Sequence, residues 1–528
     1  MRILLSFGLG FLSICCLLHS ANLFAGPPQP GPQAPQTKYL IRRITDTDDN
    51  GNIDDVKPQI WGTSLVWESG PRGDYDSKQV MFHNPSLNHP LGNIGLGSKM
   101  YTPIGAGGNY HLASDRVAWV EDVGGQADLF TSDGLSLTNL SQTSGFNERY
   151  PRVVGNRTLY YMPGGLAIDD GINQQLVTPS AGYQLYGRYQ ANDDYLVYLE
   201  RPQNNIETGH VLKAYHFDTQ VSTSLTNTNQ HPNQQWTING DAEYYQNPNF
   251  SIDGSDVYWA ATYTADGPYY DNHEIYSYDL AVGPSSYTQV TQNGVDDIFP
   301  RAAGGRAAWH QMHVADDPNS TASIILREGG VNAVIEQDAG VIRGLSDSRL
   351  VWSNSTDSYT HVLRDGTIYD ENSHLGTSGG QYRIVDVSGP NYALTHADYS
   401  SDHSTYEWEV FAGYFVGPGA VLTGLDLSYE DFNAHSLRNA DMRLTNLEGT
   451  LLDDADLRGA DLTGATGLEY AIGPAYFSHE TLLPAYFNAH DAGWTYQTPE
   501  PSGCVAMLVG LLVLGAARIR RRSDCCEV

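Results

Sequence analysis

DDVKPQIWGTSLVW, residues 54–67, decides the fold because it has counterparts along the chain. NERYPRVVGNRTLYY (147–161) and DDIFPRAAGGRAAW (296–309) carry the same order of features. Each has a polar or acidic pair, a proline, a glycine four residues after it, and a short apolar run reaching an aromatic. Proline has no N–H to donate and is tolerated where a strand begins. The glycine suits a tight turn that needs a positive φ. The aromatic then lies on a second strand, placed to pack between sheets. Each copy reads as the first two strands of an antiparallel unit.

Weaker copies fill the intervals: HLASDRVAWV with Trp119, DDYLVYLE with Tyr198, NPNFSIDGSDVYW with Trp259, GLSDSRLVW with Trp352 and VDVSGPNYAL with Leu394. From Trp67 through Trp119, Tyr160, Tyr198, Trp259, Trp309 and Trp352 to Leu394, the intervals are 52, 41, 38, 61, 50, 43 and 42 residues. A period of about 40–50 residues built only of short strands points to a β-propeller with one four-stranded blade per repeat. Eight blades are expected, with seven as the alternative count. HEIYSYDL and YTQVTQNG, within 273–294, read as the outer two strands of one blade. TKYLIRRIT (37–45) looks like the end of a repeat, and YEWEVFAGYFV (406–416) like a repeat without its end. Pairing the two would complete the last blade and remove an exposed edge. The Pro…Gly…Trp and Asp-Leu/Ile-Tyr cadence resembles the TolB-like family of propellers, a likeness that implies fold and not activity.

A second repeat follows. Leu422, Leu427, Phe432, Leu437, Met442, Leu447, Leu452, Leu457 and Leu462 stand five residues apart without interruption. Neither a helix nor a flat strand returns a side chain to one direction every five residues. Two residues before the apolar position stand Ala420, Ala440, Ala455 and Ala460, and just before it an acidic or amide residue recurs. This pattern is close to the A-(D/N)-L-x-x of pentapeptide-repeat proteins. The resemblance implies a right-handed quadrilateral β-helix, in which five residues make one side of a square and stacked coils bury a leucine column. Nine repeats make a little over two coils, so the stack is expected to lean on the propeller or on the aromatic-rich segment 467–494. Glu430 and His435 at the small position predict an irregular first coil.

Composition bounds the function. The net charge is −32, which disfavours nucleic acid as a partner. The five cysteines, Cys15, Cys16, Cys504, Cys525 and Cys526, all lie near the two ends, so residues 17–503 hold no disulfide. Residues 1–25 read as a secretory signal peptide and GPPQPGPQAPQ (26–36) as a Pro/Gln-rich linker. At the other end come Pro499-Glu500-Pro501, the apolar run Gly503–Ala517, and then Arg518 with Arg520, Arg521 and Arg522. This order resembles the PEP-CTERM sorting signal. It implies cleavage by an exosortase-type membrane protease and a place at the cell surface, the outer membrane or an exopolysaccharide matrix. A retained transmembrane helix at the same segment is the alternative. The expected organisation is signal peptide 1–25, linker 26–37, propeller 38–417, pentapeptide coil 418–466, cap and linker 467–498, sorting signal 499–522 and tail 523–528.

Signals for chemistry are few. GTSGG (376–380) matches G-x-S-x-G, but a strand follows Ser378 where a nucleophile elbow needs a helix. DTDDNGNIDDVK (46–57) places Asp46, Asp48, Asn50 and Asp54 at calcium-loop positions, making Ca2+ the one candidate cofactor, although Lys57 stands where a bidentate Glu is expected. Histidines, among them His210, His216, His231, His310, His313 and His403, show no helical metal motif. The expected function is a non-catalytic surface module that binds or scaffolds glycan or protein, with tyrosines and tryptophans as contact platforms. The alternative is a propeller-type polysaccharide lyase with a metal held by histidines, and a third reading is a plain spacer. Trp67, Trp119, Trp259, Trp309, Trp352, Leu447, Leu452, Leu457 and Leu462 are the expected structural anchors.

Overall fold

The computed structural model describes residues 38–45, 53–71, 79–87, 92–93, 110–113, 116–123, 125–141, 147–204, 209–226, 235–237, 249–264, 273–312, 322–339, 341–353, 358–363, 367–370, 382–399 and 406–497. Within them the fold is all-β. Eight antiparallel sheets of four or five strands follow one another. Their innermost strands are Ile53–Trp61, Tyr110–Ala113, Arg149–Val154, Tyr183–Ala191, Phe250–Asp253, Asp297–Ala303, Val341–Leu345 and Tyr382–Ser388. These eight strands surround one central channel, so the sheets are blades one to eight of a propeller. The ring closes with Lys38–Arg43, which pairs antiparallel with Tyr406–Val416 from Lys38↔Val416 to Arg43↔Phe411. The first described strand thereby completes the last blade.

The repeat motif explains the blade. Its proline does not start the strand; it sits inside it, at a bulge. The register slips between Val56 and Gln59, between Arg149 and Arg152, and between Ile298 and Arg301. A bulge is one of the few places in a sheet where a missing N–H costs no ladder bond. The residue before each proline is left-handed: φ is 54° at Lys57, 53° at Tyr150 and 56° at Phe299. That twist frees a carbonyl, and the next blade supplies its donor. Tyr189 Oη donates to the Tyr150 carbonyl at 2.6 Å, and Tyr110 Oη donates to the Lys57 carbonyl. The repeat glycines turn the chain at φ 59° (Gly62), 54° (Gly155) and 60° (Gly304).

The second strand carries the wedge. Trp67, Trp119, Trp259, Trp309 and Trp352 are buried, as are Tyr160, Tyr198 and Leu394. They fill the space between adjacent blades. The second member of the acidic pair reaches the indole twelve residues later: Trp67 Nε1 donates to Asp55 at 3.0 Å, and Trp309 Nε1 to Asp297 at 2.8 Å. Burying a polar group costs about 1–3 kcal/mol unless it is hydrogen-bonded, and at these two positions the acid–indole pairing offsets that cost.

The coil begins directly after blade eight. Parallel bridges join residues twenty apart: Val421↔Asp441, Asp426↔Asn446, Asp431↔Leu451 and Ser436↔Asp456. Four pentapeptides therefore make one rung. All nine apolar residues of the five-residue series are buried, and Ala420, Ala440, Ala455 and Ala460 lie beside them. The corner residue, two after each of these, is left-handed throughout; φ runs from 57° at Ala434 to 75° at Gly459 and Gly464. The first rung is as regular as the others. Glu430 turns outward to Arg42 of the propeller, and the His435 ring is buried with Nδ1 3.0 Å from the Asn433 carbonyl. The segment after 466 adds a third rung, through Leu451↔Ile472, Asp456↔Tyr476 and Asp461↔Leu482. It then caps the stack with Phe477, Phe487 and Trp494.

Propeller and coil share a core. Leu40, Ile60, Trp67 and Tyr414 belong to the same apolar cluster as Leu422, Leu427 and Phe432. Propeller side chains also satisfy first-rung carbonyls. Asn391 Nδ2 donates to Val421 O at 2.8 Å, and Thr63 Oγ1 to Thr423 O at 2.8 Å. Among the described residues no helix is long and apolar enough to cross a membrane; the run 503–517 lies outside them.

Candidate functional site

The central channel holds about 910 Å³. That volume lies within the range of small-molecule sites, about 300–1,000 Å³. Its wall is made by one short stretch of each innermost strand. Most polar groups there hold the ring together. Gln59 Nε2 donates to Tyr110 O at 3.2 Å, and Gln59 Oε1 accepts from Leu112 N at 3.1 Å. His111 Nδ1 accepts from Val153 N at 3.2 Å, and Ser251 Oγ from Ala302 N at 3.0 Å. Asp386 Oδ2 accepts from Ile60 N at 2.9 Å. Each latch ties one blade to the backbone of the next, and supplies a partner for an N–H on the unpaired side of an innermost edge strand.

Two channel residues are not used this way. Arg152 follows the repeat proline in blade three and Arg301 follows it in blade six. Arg152 Nε is buried and has no hydrogen-bond partner among the described residues. Arg301 lies beside it, within reach of the Asp386, Arg152 and Arg343 charges. Burial pushes Arg301 down to about 10; the Asp386 charge opposes this, and the Arg152 and Arg343 guanidiniums add to it. It remains cationic at neutral pH. Burial likewise lowers Arg152, with Arg188 adding to the effect. His111 is pushed well below its ordinary value by burial and by Arg152, so it is neutral and free to accept at Nδ1. Asp386 is pushed up to about 6 by burial. In a chain of net charge −32, the waist of the channel is thus a cluster of guanidiniums facing one carboxylate. Such an arrangement recognises carboxylates, because the guanidinium fork matches their two oxygens.

The sequence motifs fall elsewhere. Asp46, Asp48 and Asn50 lie outside the described residues, as do Ser378, His231, His313, His403, Pro499, Glu500, Pro501, Arg520, Arg521 and Arg522. Asp54 is on the innermost strand of blade one, paired with Gly70, and Lys57 Nζ is bound to Glu68 at 3.1 Å. The described histidines do not converge. His310 Nε2 accepts from Ile342 N at 3.0 Å, His210 stacks on Tyr186 at 5.4 Å, and His216 Nδ1 accepts from Asp218 N at 3.1 Å. No group of three or more His, Cys, Asp or Glu suited to a metal ion occurs among the described residues. The channel arginines went unnoticed in the sequence, although the repeat marks them: PRVVG and PRAAG carry arginine where PQIWG carries Gln59.

Comparison with solved structures corrects the expected function. A puromycin-hydrolyzing peptidase of Mycobacterium tuberculosis matches at 10% identity and TM-score 0.41, over 65% of this chain and 58% of that one. Dipeptidyl peptidase 4 of Porphyromonas gingivalis matches at 11% and 0.43, over 70% and 59%. The β-propeller domain of the trilobed protease of Pyrococcus furiosus matches at 11% and 0.38, over 60% and 97%. The chain thus spans under two thirds of the first two, and the likeness is one of fold. These relatives are peptidases, neither glycan scaffolds nor polysaccharide lyases, and the surface-module and lyase expectations are set aside. In the structure the five repeat tryptophans are buried between blades, and His310 and His216 hold backbone N–H groups while His210 stacks on Tyr186. No curated protein matches the chain. Residues 431–466 match the pentapeptide-repeat family in eight copies, and this segment of the chain is a pentapeptide-repeat coil.

Proposed function

We propose that the central channel takes up a small ligand through its carboxylate, held at Arg152 and Arg301. The observation that carries this reading is a buried Arg152 Nε with no hydrogen-bond partner among the described residues, beside a second channel guanidinium, Arg301, inside a strongly acidic chain. A calorimetric titration of the full chain with mono- and dicarboxylates and with inorganic phosphate tests it. Carboxylates bind, and R152Q/R301Q weakens them by about 10-fold or more, a loss of about 1.4 kcal/mol. Binding that ignores both arginines, or that prefers phosphate, overturns the reading.

The repeat cadence supports a propeller of the TolB-like type. The two termini support an exported protein sorted by an exosortase-type protease through Pro499-Glu500-Pro501. A C-terminal tag followed in wild-type and exosortase-deficient cells tests this. The tag is lost only where the protease is present; equal chain length in both removes the proposal.

A further inference from the structure

We propose that the channel's ligand is a short zwitterionic peptide, with its carboxylate at Arg152 and Arg301 and its ammonium at a rim formed by Asp193, Asp253 and Asp347. This rests on the carboxylate reading above and adds the second charge. All innermost strands run the same way around the channel, so their turns into the second strands share one mouth. Asp193 lies in the turn between Tyr183–Ala191 and Tyr195–Pro202, and Asp347 in the turn between Val341–Leu345 and Arg349–Ser353. Asp253 ends the innermost strand of blade five. All three line the channel together with Arg152, Arg301 and Arg343.

The rim is produced by the repeat itself. A Cβ on Gly155 would stand 3.3 Å from Asp193 Oδ1, and one on Gly304 would stand 2.8 Å from Asp347 Cα. The turn glycine of one blade thus makes room for the acid of the next. Asp253 Oδ2 accepts from Gly305 N at 2.7 Å, which fixes its carboxylate at the same mouth. Arg152 and Arg301 each lie three residues before the turn glycine of their own strand. At a strand rise of about 3.3 Å per residue, waist and rim are separated by about 10 Å. Three extended peptide residues span about the same distance. A simple anion entering by this mouth must pass three carboxylates, whereas a ligand carrying an ammonium behind its carboxylate meets an opposite charge at each end.

The test compares trialanine with its N-acetylated and C-amidated forms by calorimetry on the unaltered full chain. Trialanine binds, and each blocked form binds at least about 10-fold more weakly. D193N/D253N/D347N abolishes the difference between the free and acetylated peptide, with thermal unfolding showing that the variant is folded. If acetylation leaves affinity unchanged, the zwitterion assignment is overturned while the carboxylate reading stands. If amidation leaves it unchanged, both fall. If simple carboxylates bind and trialanine does not, the peptide assignment alone is overturned.

Discussion

The left-handed residue before each repeat proline shows how one side chain settles a neighbour's backbone. Tyr150 cannot keep its carbonyl in the ladder at φ 53°, and Tyr189 of the next blade donates to it. Burial pushes the Tyr189 hydroxyl well above its ordinary value, so it stays a donor at any working pH. Tyr189→Phe keeps the ring and removes the donor, leaving a buried acceptor unmatched. It should lower unfolding free energy by about 1–3 kcal/mol in urea titration. An effect below a few tenths would show that water takes over the bond. At this scale the sequence was half legible. The Pro, Gly and aromatic positions could be read because backbone geometry demands those residue types. Tyr189 could not, since its partner lies 39 residues away and nothing local marks it. Asn391 was equally hidden. It is buried, yet it donates to Gly62 O and Val421 O and accepts from Phe415 N, joining blades one and eight to the coil.

Among elements, the coil was the easiest to read and the easiest to underestimate. A strict five-residue spacing can belong to few shapes, so the leucine column was plain. Its irregular first rung was a wrong expectation, because Glu430 and His435 were judged by size alone, without the propeller surface that gives Glu430 a partner. The third rung was missed because its bridges lengthen to twenty-one residues, at Leu451↔Ile472 and again at Asp461↔Leu482. Gly467 opens the first of these extra loops, at φ 72°, where a Cβ would meet Glu448 N at 2.6 Å. Leu447 stands in the middle of the column and is fully buried. Leu447→Ala should cost about 2–5 kcal/mol, since the flanking rungs are pinned by backbone bonds and cannot collapse into the space. Calorimetry that returns less than about 1 kcal/mol would mean the column is not close-packed.

For the whole molecule, charge sets the response to pH. Asp55, Glu274, Asp297 and Asp386 are all pushed up by burial, Asp386 to about 6. Each holds its proton more tightly folded than unfolded. Stability from these groups is therefore present below ordinary carboxylate values, near 4, and is lost as pH rises through their raised values, about 6 for Asp386. Asp170 and Asp279 act in the opposite sense. Hydrogen bonds hold them down, from Asn173 N–H and from the Ser255 hydroxyl respectively, and their contribution is lost only in stronger acid. Discharging part of a net −32 also relieves self-repulsion. Melting temperature should be higher near pH 5 than at pH 8, and D386N should flatten the slope between pH 4 and 6. A melting temperature that climbs steadily from pH 5 to 8 would contradict this. The pairing of Lys38–Arg43 with Tyr406–Val416 has a further result. Lys38–Arg43 waits while seven blades are made, and docks only when the eighth arrives. A ribosome that stalls anywhere before that point leaves an open arc with two sticky margins, so closure of the ring is timed by the emergence of Tyr406–Val416.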